Sequence, residues 1–421
     1  MVKVITYGTY DLLHYGHRRL LERAKALGDY LIVGVTADSF DKSRGKINVQ
    51  QSLMERIEGV RATGLADEII IEEYEGQKID DIRRYGVDIF TVGSDWVGKF
   101  DYLEEYCKVV YLPRTEGVSS SQVRSDKRRI SMRITEDTGL GNKILRESSF
   151  VNGVEILSDE SKEKEDAIYL LSLPERHYRL IKEAIEEGKH ILCESPIAMR
   201  EAECRELFSL AREKKVVLMD ALKTAYGMAY NRLLVLVKSG AIGKVISVDA
   251  TCTSLMDDVS SQNYAGIWSS ITAWGPTALL PVFQILGTDY TDKHIVSKFA
   301  DENKTFDGFT KIDFVYPNAV ASVKVAKMAK SEGSMVITGT RGYIYIPAPW
   351  WKMDYFEVKY EDQNKNKRFF YQLEGEGIRY ELVAFSKAIE SGTNNSYVSE
   401  EVSVAIARVM EDWTAKKVSM I

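Results

Sequence analysis

The chain has 421 residues, 45% of them hydrophobic and 28% charged, with a formal net charge of −6. That length suits two or three domains, and an acidic balance with no basic run argues against nucleic-acid binding. The N-terminus MVKVITYG turns polar too early for a secretory signal, no apolar stretch is long enough to cross a bilayer, and Cys107, Cys193, Cys204 and Cys252 lack metal-ligand spacing, so a cytoplasmic protein with reduced thiols is expected.

In chain order, VKVITYG reads as a buried strand and HRRLLERAKALGD as an amphipathic helix. YLIVGVTAD, EIIIEE, DIFTVGSD and CKVVYLPR continue as strands, separated by helices at QSLMERIEGVRATGLA, KIDDIRRYG and DYLEEYC. Strands and helices in series predict a parallel sheet covered on both faces, with ligands at the carboxyl ends of the strands. The alternation lapses over residues 126–165, which are charged and weakly periodic and read as a linker. It resumes with DAIYLLSL, RHYRLIKEAIEEG, KHILCES, EAECRELFSLAREKK and VVLMDA. From Lys244 onward longer alternating stretches, such as AVASVKVAKMA and GSMVITGTRGYIYI, predict an antiparallel sheet. Two helices near 380–390 and 400–416 close the chain.

The chain has only 5 histidines, and two of them sit in YGTYDLLHYGHRRL, where the first strand gives way to the first helix. HxxH alone is equally a surface or core feature of a helix start. At a helix N-terminus, however, His14 and His17 can both face one phosphate chain, and Gly16 lets a ligand approach the backbone. Holding a nucleoside triphosphate while its α-phosphorus is attacked needs such charge neutralisation.

GTYDLLHYGH resembles the G-T-F-D-x-x-H-x-G-H signature of the cytidylyltransferase superfamily. GSDWVGKF at 93–100 and VVYLPRTEGVSSS at 109–121 resemble the bacterial glycerol-3-phosphate cytidylyltransferases. The resemblance covers about residues 1–125. It implies CTP as donor, a polyol phosphate as acceptor and Mg²⁺ as the accompanying cation. His14, His17, Lys46 and Arg114 would be catalytic. Gly8, Thr9, Tyr10, Gly16, Asp95, Trp96, Arg114, Thr115, Ser119 and Ser120 would hold the nucleotide. Asp11, Asp38, Lys42, Arg44, Arg56 and Tyr74 would bind the acceptor, Tyr74 standing where the family carries tryptophan. The product would be a CDP-polyol for a bacterial wall or capsule polymer.

SLPERHYRLIKEAIEEGKHILCESPIA at 172–198 resembles the glucose–fructose oxidoreductase and inositol dehydrogenase family, as do SGAIGKVISV and GEGIRYELVAFSKAIESG. That resemblance implies a Rossmann half followed by an α/β domain with an open sheet. The family's lysine in E-K-P is Ser195 here. Its later D-I-G-x-H-x-x-D pattern falls on Ala273 to Leu280, with Thr277 for the histidine. The nearest candidate for the dinucleotide turn is Gly139-Leu140-Gly141, preceded by the polar RITEDT. The first βαβ unit and its phosphate-binding helix are therefore expected to be deleted. NAD(P) is not expected, and His177, His190 and His294 read as structural.

The expected architecture is α/β. A Rossmann-like parallel-sheet nucleotidyltransferase domain (1–128) precedes a linker and remnant of a dinucleotide-binding half (129–165). A truncated Rossmann-like domain (166–243) and an α/β domain with a large open antiparallel sheet (244–421) follow. The last would make a homodimer or higher homo-oligomer, with Trp350 and Trp351 either anchoring the contact or filling the local core. Two other readings of this region are a reductase that makes the polyol phosphate, and a binder of a regulatory sugar or nucleotide.

Overall fold

The computed structural model describes residues 1–43, 49, 51–74, 76–113, 129–136, 139–151, 153–158, 160–256, 264, 266–371, 375–392, 394 and 396–421. They divide into two compact units, Met1–Arg129 and Ile130–Ile421.

The first unit runs β1 (Lys3–Gly8), α1 (Tyr15–Lys25), β2 (Tyr30–Thr36), α2 (Asp38–Ser43), α3 (Leu53–Ala62), β3 (Glu68–Glu72), α4 (Gln77–Tyr85), β4 (Ile89–Gly93) and β5 (Lys108–Leu112). Its sheet has the order β3-β2-β1-β4-β5, and all pairs are parallel. Val4 to Tyr7 of β1 are buried without a break, as a central strand covered on both faces requires. Val4, Leu21 and Val33 pack in the core on one side of the sheet, and Ile5, Ile32 and Phe90 on the other. The chain winds outward from β1 through β2 to β3, then returns to the far side of β1 for β4 and β5. The direction of winding thus reverses between β1 and β4, where doubly wound sheets open a crevice for ligands. The helix expected at DYLEEYC is only a short 3₁₀ turn, Asp101–Glu105. Leu103 is its one buried residue, and Asp101 accepts the Tyr111 hydroxyl at 2.6 Å, which ties the turn to β5.

The second unit begins with β6 (Ile130–Thr135), α5 (Gly141–Ser148), β7 (Val154–Ile156), β8 (Ala167–Leu170), α6 (Pro174–Glu186), β9 (His190–Cys193), α7 (Glu201–Lys214) and β10 (Leu218–Asp220). These strands form a parallel sheet in the order β10-β9-β8-β6-β7. The expectation that the first βαβ unit is deleted fails, because β6, α5 and β7 are that unit. Compared with the usual doubly wound order 3-2-1-4-5-6, β7 and β6 hold places two and one and β8 holds place four. Among the described residues the piece that is absent is strand three with its crossover. The linker reading of this stretch fails for the same reason. Its charges mislead because they satisfy one another: Arg133 bonds Glu165 at 3.4 Å and the carbonyl of Ser158 at 2.9 Å, and Lys189 bonds Glu165 at 2.6 Å. Ile130 and Met132 are buried beneath them. A helix of 8 residues and a strand of 3 fit the unit into the short span.

The unit continues through α8 (Lys223–Tyr226), α9 (Met228–Lys238), β11 (Val245–Thr253), α10 (Ser270–Leu286), β12 (Asp292–Phe299), β13 (Asp307–Val315), β14 (Val320–Ala326), β15 (Met335–Gly339), β16 (Tyr343–Ile346), β17 (Tyr355–Lys359), β18 (Lys367–Phe370), α11 (Ile378–Ser391), α12 (Glu400–Thr414) and β19 (Ser419–Met420). The sheet order is β18-β17-β16-β15-β11-β14-β13-β12-β19. It is mixed rather than purely antiparallel. β14 lies parallel to β11 because the chain returns there through α10 and the β12–β13 hairpin, and β19 adds parallel to β12. Helix α10 packs against β11, β13 and β14. Strand β13 alternates buried Thr310, Ile312 and Phe314 with half-buried Phe309, Lys311 and Asp313, as one covered face dictates. Trp350 is fully buried and its indole donates to the Thr251 carbonyl at 3.0 Å, so it belongs to the core and anchors no contact.

Candidate active site

The turn from β1 to α1 holds two residues with left-handed backbones, Tyr10 at φ 54° and Leu12 at φ 46°. Such residues cost about 1–3 kcal/mol each and persist only where their surroundings impose them. Gln51 does so here. Its side-chain carbonyl accepts the Leu12 amide at 2.8 Å, and its own amide donates to Asp11 Oδ1 at 3.0 Å. Tyr10 is 1% exposed, and burial pushes its phenol pKa up. Its ring lies over Gly8, where an added β-carbon would come within 3.0 Å of it. Gly8 therefore makes room for Tyr10.

His14 is the N-cap of α1. Its Nδ1 accepts the amide hydrogen of His17 at 3.4 Å. With Nδ1 acting as acceptor, the neutral ring carries its hydrogen on Nε2. The two imidazoles stack with centroids 3.9 Å apart and planes 18° from parallel, and the Tyr10 ring meets His17 edge-on at 5.5 Å. Gly16 lies in the first turn of the helix, whose amides and dipole favour an anion.

Arg56 lies beneath this turn rather than in it. It has no exposed surface. Its guanidinium donates to the carbonyls of Thr9 at 2.7 Å, Thr36 at 2.8 Å and Gln51 at 3.2 Å, and to Asp38, with Asp41 3.7 Å away. It thus joins the ends of β1 and β2 to the start of α3. Thr9 completes the cluster by donating its hydroxyl to Asp41 at 2.9 Å. Asp38 is half-buried and also accepts the Leu53 amide at 3.4 Å.

Asp95 and Trp96 are exposed in the 3₁₀ turn that leaves β4, with the Trp96 ring 5.8 Å from Phe100. Because β4 adjoins β1, this turn and the histidine turn flank the point where the sheet's winding reverses. Tyr74 follows β3, is 49% exposed and donates its hydroxyl to Asp80 at 2.8 Å. Lys42 lies in α2. Arg44, Lys46, Arg114, Thr115, Ser119 and Ser120 lie outside the described residues.

Sequence reasoning missed Gln51, Asp41 and a buried pair, Glu72 with Lys78. Lys78 is 8% exposed and pairs with Glu72 at the end of β3, which also accepts the Thr36 hydroxyl at 2.8 Å. The lysine lies over the rings of Tyr7 at 4.7 Å and Phe100 at 5.5 Å. A carboxylate ending the apolar run EIII was the available signal.

In the second unit, Ser195, Ala273 and Thr277 line one cavity of about 280 Å³. No residue at these three positions can take the proton that a lysine or histidine would. His177 is fully buried, with its ring nitrogens 2.7 Å and 2.8 Å from the carbonyls of Pro196 and Ser172. It braces the loop after β8, and burial lowers its pKa. His190 accepts the Val217 amide at 2.9 Å, and His294 meets the Ser419 hydroxyl at 3.0 Å.

Residues 5–126 match the cytidylyltransferase-like family, and residues 141–221 match the oxidoreductase family with an NAD-binding Rossmann fold. Glycerol-3-phosphate cytidylyltransferase of Bacillus spizizenii is 50% identical over 131 residues, which are 30% of this chain and 97% of the relative. The Staphylococcus aureus protein of that name is 45% identical over 130 residues, 95% of its length. The chain belongs to the cytidylyltransferase-like family. Its first unit is a nucleotidyltransferase domain, and the turn that carries His14 and His17 lies within the matched residues. The rest of the chain has the fold of KijD10, a 3-ketoreductase from Actinomadura kijaniata. One such structure shares 15% identity at a TM-score of 0.58, covering 70% of this chain and 99% of the other. An oxidoreductase from Agrobacterium radiobacter shares 16% at 0.56, covering 67% and 94%.

The oxidoreductase-like fold raises the question of a nicotinamide dinucleotide. Gly139, at φ 111°, has open space where a β-carbon would point, and Gly141 opens α5, so the turn itself is retained. The position of the third glycine holds Ile144, which is fully buried between helix and sheet. Strand three is absent among the described residues, and Ser195 and Thr277 stand where the resemblance would place lysine and histidine. The residues present do not fit a hydride-transfer site.

Proposed function

We propose that the first unit transfers the cytidylyl group of CTP to glycerol 3-phosphate, or a related polyol phosphate, giving CDP-glycerol or its counterpart and pyrophosphate. The observation that carries this reading is the stacked His14–His17 pair at the start of α1, beside the reversal point of the sheet. A phosphate oxygen of the acceptor attacks the α-phosphorus in line. The new O–P bond forms as the bond to the bridging oxygen of pyrophosphate breaks, with no covalent enzyme intermediate. Nε2–H of His14 donates to the phosphates, and the α1 amides and His17 offset the charge that grows on the leaving group. Asp11 and Arg56 hold the turn in shape. Asp95 and Trp96 face the cytidine, and Tyr74 lies on the acceptor side. Among the described residues no group of three or more His, Cys, Asp or Glu side chains could hold a metal ion. Mg²⁺ would therefore take most of its ligands from the triphosphate and water.

The second unit serves as a scaffold that pairs with a second copy through the half-buried face of its nine-stranded sheet. No helix among the described residues is long and apolar enough to cross a membrane. That accords with an enzyme working in the cytoplasm, where it would supply activated polyol for a wall or capsule polymer. A second reading, an NAD(P)-dependent reductase making the polyol phosphate, draws on the retained turn at Gly139–Gly141.

Product analysis after offering CTP with a panel of polyol phosphates tests the first reading. CDP-glycerol is the expected product, and no turnover with any of the panel would refute it. Light scattering that shows a stable monomer would refute the scaffold.

A further inference from the structure

Helix α1 carries the two histidines, but the turn that delivers them is moulded by the start of a different helix, α3. Thr9 to Leu13 meet that segment almost residue by residue. Arg56 donates to the Thr9 carbonyl at 2.7 Å. The Gln51 backbone amide donates to Asp11 Oδ1 at 3.0 Å, and the Gln51 side-chain carbonyl accepts the Leu12 amide hydrogen at 2.8 Å. Gly59 lies against Leu13, whose β-carbon would be 3.7 Å from one added at the glycine. The mould is itself held in place. Ser52 and Glu55 form a capping box, with the Ser52 amide donating to Glu55 at 2.7 Å, and Arg56 Nε donates to the Gln51 carbonyl at 3.2 Å.

Of the bonds made by residue 51, only the one to Leu12 depends on its side chain. Those through its backbone N–H and C=O survive any substitution but proline. Leu12 is also the residue most in need of support, because its backbone is left-handed at φ 46°. It stands two positions before His14, so a rotation at Leu12 swings the N-cap of α1 and the ring stacked on His17 at 3.9 Å. In-line transfer is sensitive to displacements of about 1 Å in the groups that hold the reactants.

We propose that Gln51 is a positioning residue of cytidylyl transfer. It acts through the left-handed backbone of Leu12 to fix the direction in which the His14–His17 stack faces the triphosphate, and it does not touch substrate. This rests on the transferase reading above. Loss of the side chain misdirects charge stabilisation in the transition state and leaves the contacts to the cytidine in place, so it acts on kcat more than on KM.

A double-mutant cycle on the full chain tests this. Gln51→Met keeps the length of the side chain and removes the acceptor. In the parent background it should lower kcat for pyrophosphate release from CTP and glycerol 3-phosphate by about tenfold or more, with KM for CTP changed by less than about threefold. Glycine takes φ 46° without strain. In the Leu12→Gly background the same substitution should therefore lower kcat by less than about threefold. Rates are compared well below each melting temperature, so that lost stability alone leaves kcat unmoved. The ring signals of the 5 histidines in a ¹H–¹³C NMR spectrum give a readout without turnover. Those of His14 and His17 should move in Gln51→Met, and those of His177, His190 and His294 should stay. Equal kcat losses in both backgrounds, no loss in either, or unmoved His14 and His17 signals would overturn the proposal. If the transferase reading failed instead, the parent would release no pyrophosphate while the His14 and His17 signals still responded to Gln51→Met.

Discussion

Nδ1 of His14 takes the amide hydrogen of His17 at 3.4 Å, so one histidine both closes the helix end and stacks on its neighbour. The two roles separate by mutation. Asparagine is among the best N-caps, so His14→Asn should keep the thermal stability of the first unit. It removes the ring donor, and pyrophosphate release from CTP should fall by roughly 10²–10³-fold, the loss usual for one transition-state donor. Parent-like turnover in a folded His14→Asn enzyme would contradict the assigned role.

Arg56 holds three backbone carbonyls and two aspartates without touching solvent. Arg56→Met takes away the guanidinium that lies 3.7 Å from Asp41, which is 1% exposed. Removing one partner of a buried pair costs about 3–5 kcal/mol, and chemical denaturation should show a loss of that order in the first unit. Lys should not rescue the defect, because a single ammonium cannot reach both strand ends as a guanidinium fork does. Equal stability of Arg56→Lys and parent would argue against the fork.

Asp220 is buried beside Ser195 and Ser403, and burial raises its pKa to about 7 despite their hydrogen bonds. In the unfolded chain it ionises near pH 3.9. Between these values the folded form holds a proton that the unfolded form has lost, so stability falls as pH rises through that window and levels off above 7. The full span is roughly 4 kcal/mol. Asp220→Asn should melt with the parent near pH 4 and above it at pH 8. Parallel melting curves at both pH values would show that Asp220 is already ionised in the fold.

Titration of the full chain with NADH or NADPH, followed by nicotinamide fluorescence, should show no saturable change. Ser195 and Thr277 offer no proton carrier, and Ile144 fills the place of the third glycine. Saturable binding in the micromolar range would favour the reductase reading of the second unit.

Much of the first unit was visible in the letters, because buried central strands such as VKVITYG leave an unbroken apolar run. The histidine turn was visible for a different reason: a rare residue repeats where a strand meets a helix. The role of Arg56 was not, since its partners come from β1, β2 and the segment before α3, which only the folded chain brings together. Strand β6 escaped notice because Arg133 and the charges around it look like a linker until Glu165 and Lys189 are seen to neutralise them. The place of the deletion depended on strand order, which periodicity does not carry. Charge and spacing marked Ser195 and Thr277 as substitutions but could not show that they line one cavity.

The left-handed backbones of Tyr10 and Leu12 set a lower limit on how small a working fragment can be. Released from Gln51 and from the helix behind it, that turn would relax and point its imidazoles elsewhere. Any excised catalyst must therefore extend through α3, although both histidines lie within the first 17 residues.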